Sequence, residues 1–295
     1  MYYPISYHEP LFRPPSEAYS LILQPTIGCS WNRCAFCEMY TTKKFSIRDI
    51  KEVKAEISAM KAHADEVRKV FLADGNAMAL SADYLMELLN SLNESFPRLI
   101  RVSIYALPKD LLAKTDEELY ALREAGLKLI YVGIESGDDE VLQMVNKGES
   151  HATTVEGILK AKTAGIKSSV MILNGLGGKK YSRQHAENSA RVINAVQPEF
   201  LSTLVLSYPH GIEHYQKRFK GDFVPCEIPD LLEELRIFIS ETDLQQSIFR
   251  SDHASNYLIL KGTLGREKER MLQEIDAAIA NPGMAGLRPE FLRGL

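Results

Sequence analysis

The 295-residue chain predicts an α/β fold: a partial (β/α)6 barrel of the TIM type, with a parallel sheet and a short helical C-terminal extension. Three observations carry this expectation. Short apolar runs alternate with amphipathic stretches in six units of roughly 30 residues, the length of one strand–helix–strand unit. The strand-like runs are apolar throughout, as in strands covered on both faces. Glycines and polar residues of chemical interest follow the strands, at the ends where barrel enzymes keep their sites. Six units are two short of a closed barrel, so an open one is expected.

The first strand is Leu21–Gln24, ending at a cysteine-rich loop. Ser46 and Asp49 read as a capping box for a helix with a stripe of Ile50, Val53, Ile57 and Met60. Val70–Ala73 is the second strand and ends in Asp74-Gly75-Asn76. Ser81 caps a helix with Leu85, Leu88, Leu89 and Leu92 on one face. Ile100–Tyr105 is the third strand. Thr115 with Glu118 opens the next helix, which stops at Gly126. Leu129–Ile134 is the fourth strand, running into Glu135-Ser136-Gly137. Thr153 with Glu156 opens a helix that closes at Gly165. Ser169–Leu173 is the fifth strand, followed by Asn174-Gly175-Leu176-Gly177-Gly178. A helix through Ala186, Val192, Ile193 and Val196 ends at Pro198, and Leu201–Leu206 is the sixth strand.

The alternation is expected to stop near residue 215. Helices are read over Asp230–Thr242 and Gly265–Ala280. Between them lies a polar stretch, Phe249 to Tyr257. The domain reading is an N-terminal extension over 1–17, a core over 18–215 and a helical extension over 216–295 that closes the barrel.

Hydrophobic residues make up 45% and charged residues 25%, the balance of an ordinary soluble protein. The net charge is −4, so nucleic acid is not expected as the main partner. No apolar run approaches the roughly 20 residues of a membrane span, and no membrane partner is expected. Met1–Ser6 lacks the basic and apolar regions of a secretory signal. Three of the four cysteines cluster rather than spread, which suits a reducing cytoplasm and a metal site rather than disulfides.

The cluster is Cys29-Ser30-Trp31-Asn32-Arg33-Cys34-Ala35-Phe36-Cys37, a C-x4-C-x2-C spacing directly after the first strand. Three thiolates on one loop can bind three irons of a [4Fe–4S] cluster and leave the fourth iron open to another ligand. Zinc is the competing reading. It would need Cys226 or a distant histidine as its fourth ligand, because no second cysteine pair exists.

On Cys29, Cys34, Phe36 and Cys37 the sequence resembles the radical S-adenosylmethionine (SAM) superfamily, in its methylthiotransferase-like and coproporphyrinogen-oxidase-like branches. The common family spacing has one residue fewer between the first two cysteines. Asp74-Gly75-Asn76 is similar in position to the family's glycine-rich SAM motif, although the usual Gly-Gly-Glu is replaced. Gly133-Ile134-Glu135-Ser136-Gly137 and Ile172-Leu173-Asn174-Gly175 resemble the family's segments after the fourth and fifth strands. The resemblance covers roughly residues 18 to 210.

The resemblance implies an iron–sulfur oxidoreductase. Cys29, Cys34 and Cys37 would be the cluster ligands. Phe36, Asp74, Gly75, Asn76, Glu135, Ser136, Leu173 and Gly175 would line the SAM site. An external one-electron donor of flavodoxin or ferredoxin type would reduce the cluster, and SAM would be cleaved to a 5′-deoxyadenosyl radical that attacks a small-molecule substrate. The polar stretch is the candidate lid, with His253, Asn256 and Tyr257 as candidate catalytic residues beside Arg250 and Asp252. Arg48 and Lys147 are candidates to neutralise the SAM carboxylate. His185 reads as a residue at a helix N-terminus, and Cys226 as a small buried apolar residue.

The chain has no room for the cobalamin or RNA-binding domains of larger relatives, and Met39 stands where coproporphyrinogen oxidases often place a further cysteine. A stand-alone core is therefore expected. The alternative is a haem or iron–sulfur chaperone that retains the same fold.

Overall fold

The structure is a computed structural model and describes residues 5–294. Met1–Pro4, part of the segment read as lacking a secretory signal, lie outside the described residues.

In chain order the elements are β1 (Leu21–Leu23), β2 (Thr26–Ile27), β3 (Ser46–Ile47), α1 (Ile50–Ala59), β4 (Lys69–Leu72), α2 (Ala82–Ser95) and β5 (Arg101–Tyr105). Then come α3 (Pro108–Leu112), α4 (Asp116–Glu124), β6 (Leu127–Glu135), α5 (Asp139–Met144), α6 (His151–Thr163), β7 (Lys167–Asn174), α7 (Gly178–Val196) and β8 (Phe200–Val205). The chain finishes with α8 (Ile212–Arg218), α9 (Ile228–Glu241), β9 (Ile248–Arg250), β10 (Lys261–Thr263) and α10 (Lys268–Ala280). The expected α/β class holds, and all six expected strands are present, as β1, β4, β5, β6, β7 and β8.

The chain packs as two compact units. The first takes the residues up to Asn32, Cys37–Val132 and Glu156–Ser168; the second takes Arg33–Phe36, Gly133–Val155 and the chain from Ser169 onward.

In the first unit β1, β4, β5 and the start of β6 run parallel in that order. Leu21 faces Val70, Val70 faces Val102 and Ile104 faces Ile130. Leu23, Val70, Phe71, Leu72, Val102, Ile104 and Ile130 are all fully buried, as continuous apolar strands require. Phe71, Tyr105 and Tyr131 meet edge to face. Ser81 caps α2 by accepting from Tyr84 N. Thr115 and Glu118 form the expected reciprocal box at α4. The expectation for α1 needs correction. Asp49 alone caps it, accepting from Lys51 N, while Ser46 is drawn into β3 by pairing with Ile27. Local capping chemistry lost to a long-range ladder there.

In the second unit β7, β8 and β9 are parallel and β10 turns back antiparallel on β9. Helix α9 lies against both α7 and α10. Gln197 adopts a left-handed conformation (φ 46°) that ends α7, since a residue before proline resists continuing a helix. Two expectations change. Helix α6 starts at His151 rather than after Thr153, because the Ser150 and Thr153 hydroxyls and amides exchange hydrogen bonds at its start. The alternation also does not stop near 215: β9 is a further parallel strand inside the stretch read as a polar loop. It spans three residues, with Phe249 buried between two exposed ones, too short to show a period.

Candidate cluster and cofactor site

The cysteine loop lies between β2 and β3. None of the four cysteines is in a disulfide, and all are partly buried. In the first unit the loop is tied to the turn after β4. Gly28 N donates to Asp74 Oδ2 at 2.7 Å, and Gly75 N returns a bond to Gly28 O at 3.1 Å. Lys43 Nζ adds an ion pair to the same Asp74 oxygen at 2.9 Å, with both side chains buried. Gly75 cannot carry a side chain, since a Cβ there would lie 2.6 Å from Cys29 Cβ and 2.8 Å from the Tyr40 ring. Asn76 Nδ2 donates to Ser30 Oγ (2.7 Å) and Asp110 Oδ2 (2.5 Å), and its Oδ1 accepts from Leu107 N. Asp74 Oδ2, expected to contact SAM, is thus spent on holding the loop, while Asn76, expected likewise, links Ser30 of the loop to Asp110 and Leu107. Asp74 Oδ1 remains buried without a partner.

Arg33–Phe36 are held by second-unit residues. Ala35 N donates to Val145 O at 2.8 Å, and Arg218 donates to Cys34 O at 2.7 Å. Lys147 Nζ lies 5.8 Å from the centre of the Phe36 ring and 3.5 Å from Glu135 Oε1. Glu135 is buried and holds φ at +67°, a conformation costly for a residue other than glycine. A Cβ on Gly133 would collide with its Oε1. Burial pushes the Glu135 carboxyl above the usual range, against the pull of Lys147. Its Oε2 has no partner. Lys147 therefore sits with the expected SAM residues, whereas Arg48 does not: it pairs with Glu56 at 2.7 Å and with Glu52.

A buried polar chain joins the loops after β6 and β7. Ser136 Oγ meets His185 Nδ1 at 2.8 Å, and His185 Nε2 lies 3.6 Å from Glu234 Oε1. Glu234, on α9, accepts from Gly175 N and from Ser182 Oγ, each at 2.6 Å. His185 is thus buried inside α7 rather than placed at a helix start. Burial raises the Glu234 carboxyl above its ordinary value, opposed by His185. Leu173 packs in an apolar cluster with Leu176, Tyr181, Leu206 and Tyr215. Nothing in the sequence marked Glu234, because a lone acidic residue in an amphipathic helix reads as a solvated one.

The candidate lid divides. Asn256 donates to Thr203 O at 2.8 Å, and the carbonyls of His253 and Asn256 both accept from Arg288. His253 Nδ1 pairs with Ser255 Oγ at 2.9 Å. The Asn256 side chain anchors the segment to β8, the two backbone carbonyls anchor it to the C-terminal tail, and the His253 ring bonds within the segment. Tyr257 instead lines a cavity of about 410 Å³ together with Gly175, Leu206, Tyr208, Cys226 and Arg293. Cys226 is therefore not plain core; burial pushes its thiol up to about 12.

The donor set suits the group its spacing suggests. None of the three loop thiols is in a disulfide, so each can serve iron as a thiolate. A four-iron cluster takes each thiolate at a separate iron. Asp74 Oδ1 in the first unit and Glu135 Oε2 in the second are each buried without a hydrogen-bond partner.

The profile of the radical SAM superfamily matches residues 23–193. The chain belongs to the radical SAM superfamily. This family uses a [4Fe–4S] cluster and SAM, which agrees with the donor set above. A Methanocaldococcus jannaschii protein provisionally named a methylthiotransferase is 27% identical over 149 residues, 48% of this chain and 32% of that protein. The haem chaperone HemW of Bacillus subtilis is 23% identical over 145 residues, 48% of this chain and 38% of the chaperone. The matched stretch thus spans about a third of each curated relative. Among solved structures, the Escherichia coli coproporphyrinogen III oxidase HemN, a radical SAM enzyme, superposes with a TM-score of 0.59 at 18% identity, over 75% of this chain and 51% of that one. The methyltransferase TsrM of Kitasatospora setae, solved with cobalamin and a [4Fe–4S] cluster, gives 0.53 at 18%, over 63% of this chain and 36% of that one. These likenesses place the fold in the partial-barrel class of radical SAM proteins. Among the described residues no helix is long and apolar enough to cross a membrane.

Proposed function

We propose that this chain is an enzyme that reductively cleaves SAM and directs the resulting radical at a small-molecule substrate. The observation that supports it is the cysteine loop: three thiols outside any disulfide, tied through Gly28 to a buried aspartate at a strand end. When bound, the cluster and SAM supply a 5′-deoxyadenosyl radical, with the electron coming from a flavodoxin- or ferredoxin-type donor. Cys29, Cys34 and Cys37 would hold three irons. Within the second unit, Glu135 Oε2 would accept from a donor of SAM, and Leu173, Gly175 and Ser136 would border its adenosyl part. Residues 18–215 would form the core and 216–295 its extension. The remaining free wall beside Gly175, with Tyr257, is the place for a substrate.

The likeness to HemW favours a second reading, a haem-binding chaperone on the same fold. Anaerobic reconstitution with iron and sulfide, then SAM and dithionite, separates the two. Release of 5′-deoxyadenosine is expected. Stoichiometric haem binding without any release would establish the chaperone instead.

A further inference from the structure

The cavity of about 410 Å³ lies at the C-terminal ends of β7 and β8, within the second unit. Leu206, Leu231 and Val205 give it an apolar wall; Tyr208, Ser207, Ser255 and Tyr257 give it hydroxyls. Its volume is in the range of small-molecule sites. Glu290 and Arg293, from the tail after α10, complete it.

That tail is held almost wholly by polar bonds. Arg288 donates to the carbonyls of His253 and Asn256, and Arg293 Nε donates to Ser255 O at 2.7 Å. Its apolar side chains face water: Phe291 and Leu292 are 84% and 59% exposed. Arg293 lies over the Tyr257 ring, 4.1 Å from its centre, and is only 10% exposed. The guanidinium donates to both carboxylate oxygens of Glu290 at 2.8 Å and to Tyr257 Oη at 2.5 Å. Tyr257 Oη in turn donates to Glu290 at 2.5 Å. A largely buried guanidinium and a phenol thus converge on one carboxylate, and that carboxylate belongs to a side chain 73% exposed.

We propose that this cavity binds a small amphipathic carboxylic acid, whose carboxylate takes the place of Glu290 on Arg293 and Tyr257. Glu290 is the internal stand-in for that acid. Its ion pair with Arg293 is exposed on the acidic side and contributes little, so a ligand that also fills the apolar wall can displace it. Hydrogen bonds from Tyr257 and Arg293 hold the Glu290 carboxyl below its ordinary range, so it occupies the donors as an anion. As a carboxylate site the cavity stands on these contacts alone. As the substrate site it rests on the function proposed above, through Gly175, which lines the cavity and would border the adenosyl group.

The test uses the full chain without SAM, and a set of small aryl and alkyl carboxylic acids paired with their primary amides, followed by ligand-observed NMR and calorimetry. Acids are expected to bind in preference to their amides. Glu290→Gln should tighten acid binding severalfold, because the competitor is removed. Arg293→Met should weaken it about tenfold or more, the worth of a hydrogen bond to a charged group. Tyr257→Phe should weaken it by less. Equal binding of acids and amides, no binding of any acid, or a preference unchanged in Arg293→Met with native melting would overturn the proposal. Release of 5′-deoxyadenosine is unaffected by those binding outcomes, so the two readings can fail separately.

Discussion

Lys43 and Asp74 form an ion pair of 2.9 Å in which both side chains are buried. Asp74 Oδ2 also accepts from Gly28 N, so one oxygen fastens both ends of the segment that carries Cys29 and Cys37. Removing the cation leaves a buried carboxylate with one backbone donor. Lys43→Met should therefore lower stability by about 3–5 kcal/mol, read by urea unfolding, with less iron retained after reconstitution. Unaltered unfolding would show that the pair contributes nothing.

The cluster assignment is checked one thiol at a time. Cys29→Ala, Cys34→Ala and Cys37→Ala should each abolish the absorbance and the iron and sulfide content of a reconstituted cluster. Cys226→Ala should retain them, because Cys226 sits beside Gly175 and Tyr208 in the cavity. A cluster that survives any of the three loop substitutions would remove that residue from the ligand set.

Gly133→Ala separates fold from function. The atoms nearest the added methyl would be the far end of the Glu135 side chain and the Lys147 ammonium group, both of which can move. Melting should shift little, while SAM binding, measured by equilibrium dialysis, should fall about tenfold or more from displacement of a charged hydrogen-bonding group. Equal affinity would exclude Glu135 from the SAM site.

His253 carries a pH signature. Burial, with Arg288 nearby, lowers its basicity, against the pull of Asp252. The folded state therefore favours the neutral ring. Its contribution is present above the unfolded value, about 6.5, and is lost as pH falls through the lower folded value. Wild type should outmelt His253→Asn by more at pH 8 than at pH 5. A difference that does not change with pH would mean that the ring does not titrate in this window.

Much of the fold was legible locally. Ser81 and the Thr115–Glu118 box cap the helices that their spacing predicts. The strands before Asp74 and Glu135 were legible as continuous apolar runs. Ser46 was misread because its pairing with Ile27 spans the whole cysteine loop. Strand β9 was hidden because three residues show no period, and only the edge of β8 makes them a strand.

The site divides in the same way. Cysteine spacing and strand-end turns are properties of short segments, so the chain alone determined the fold class and the family. Burial and long-range hydrogen bonding are not local. Only the tertiary structure decided that Asp74 is the loop's fastener, that Glu234 reaches Gly175 from a helix 59 residues on, and that Arg293 and Glu290 complete the cavity beside Tyr257. Those side chains take their roles from neighbours that sequence distance conceals.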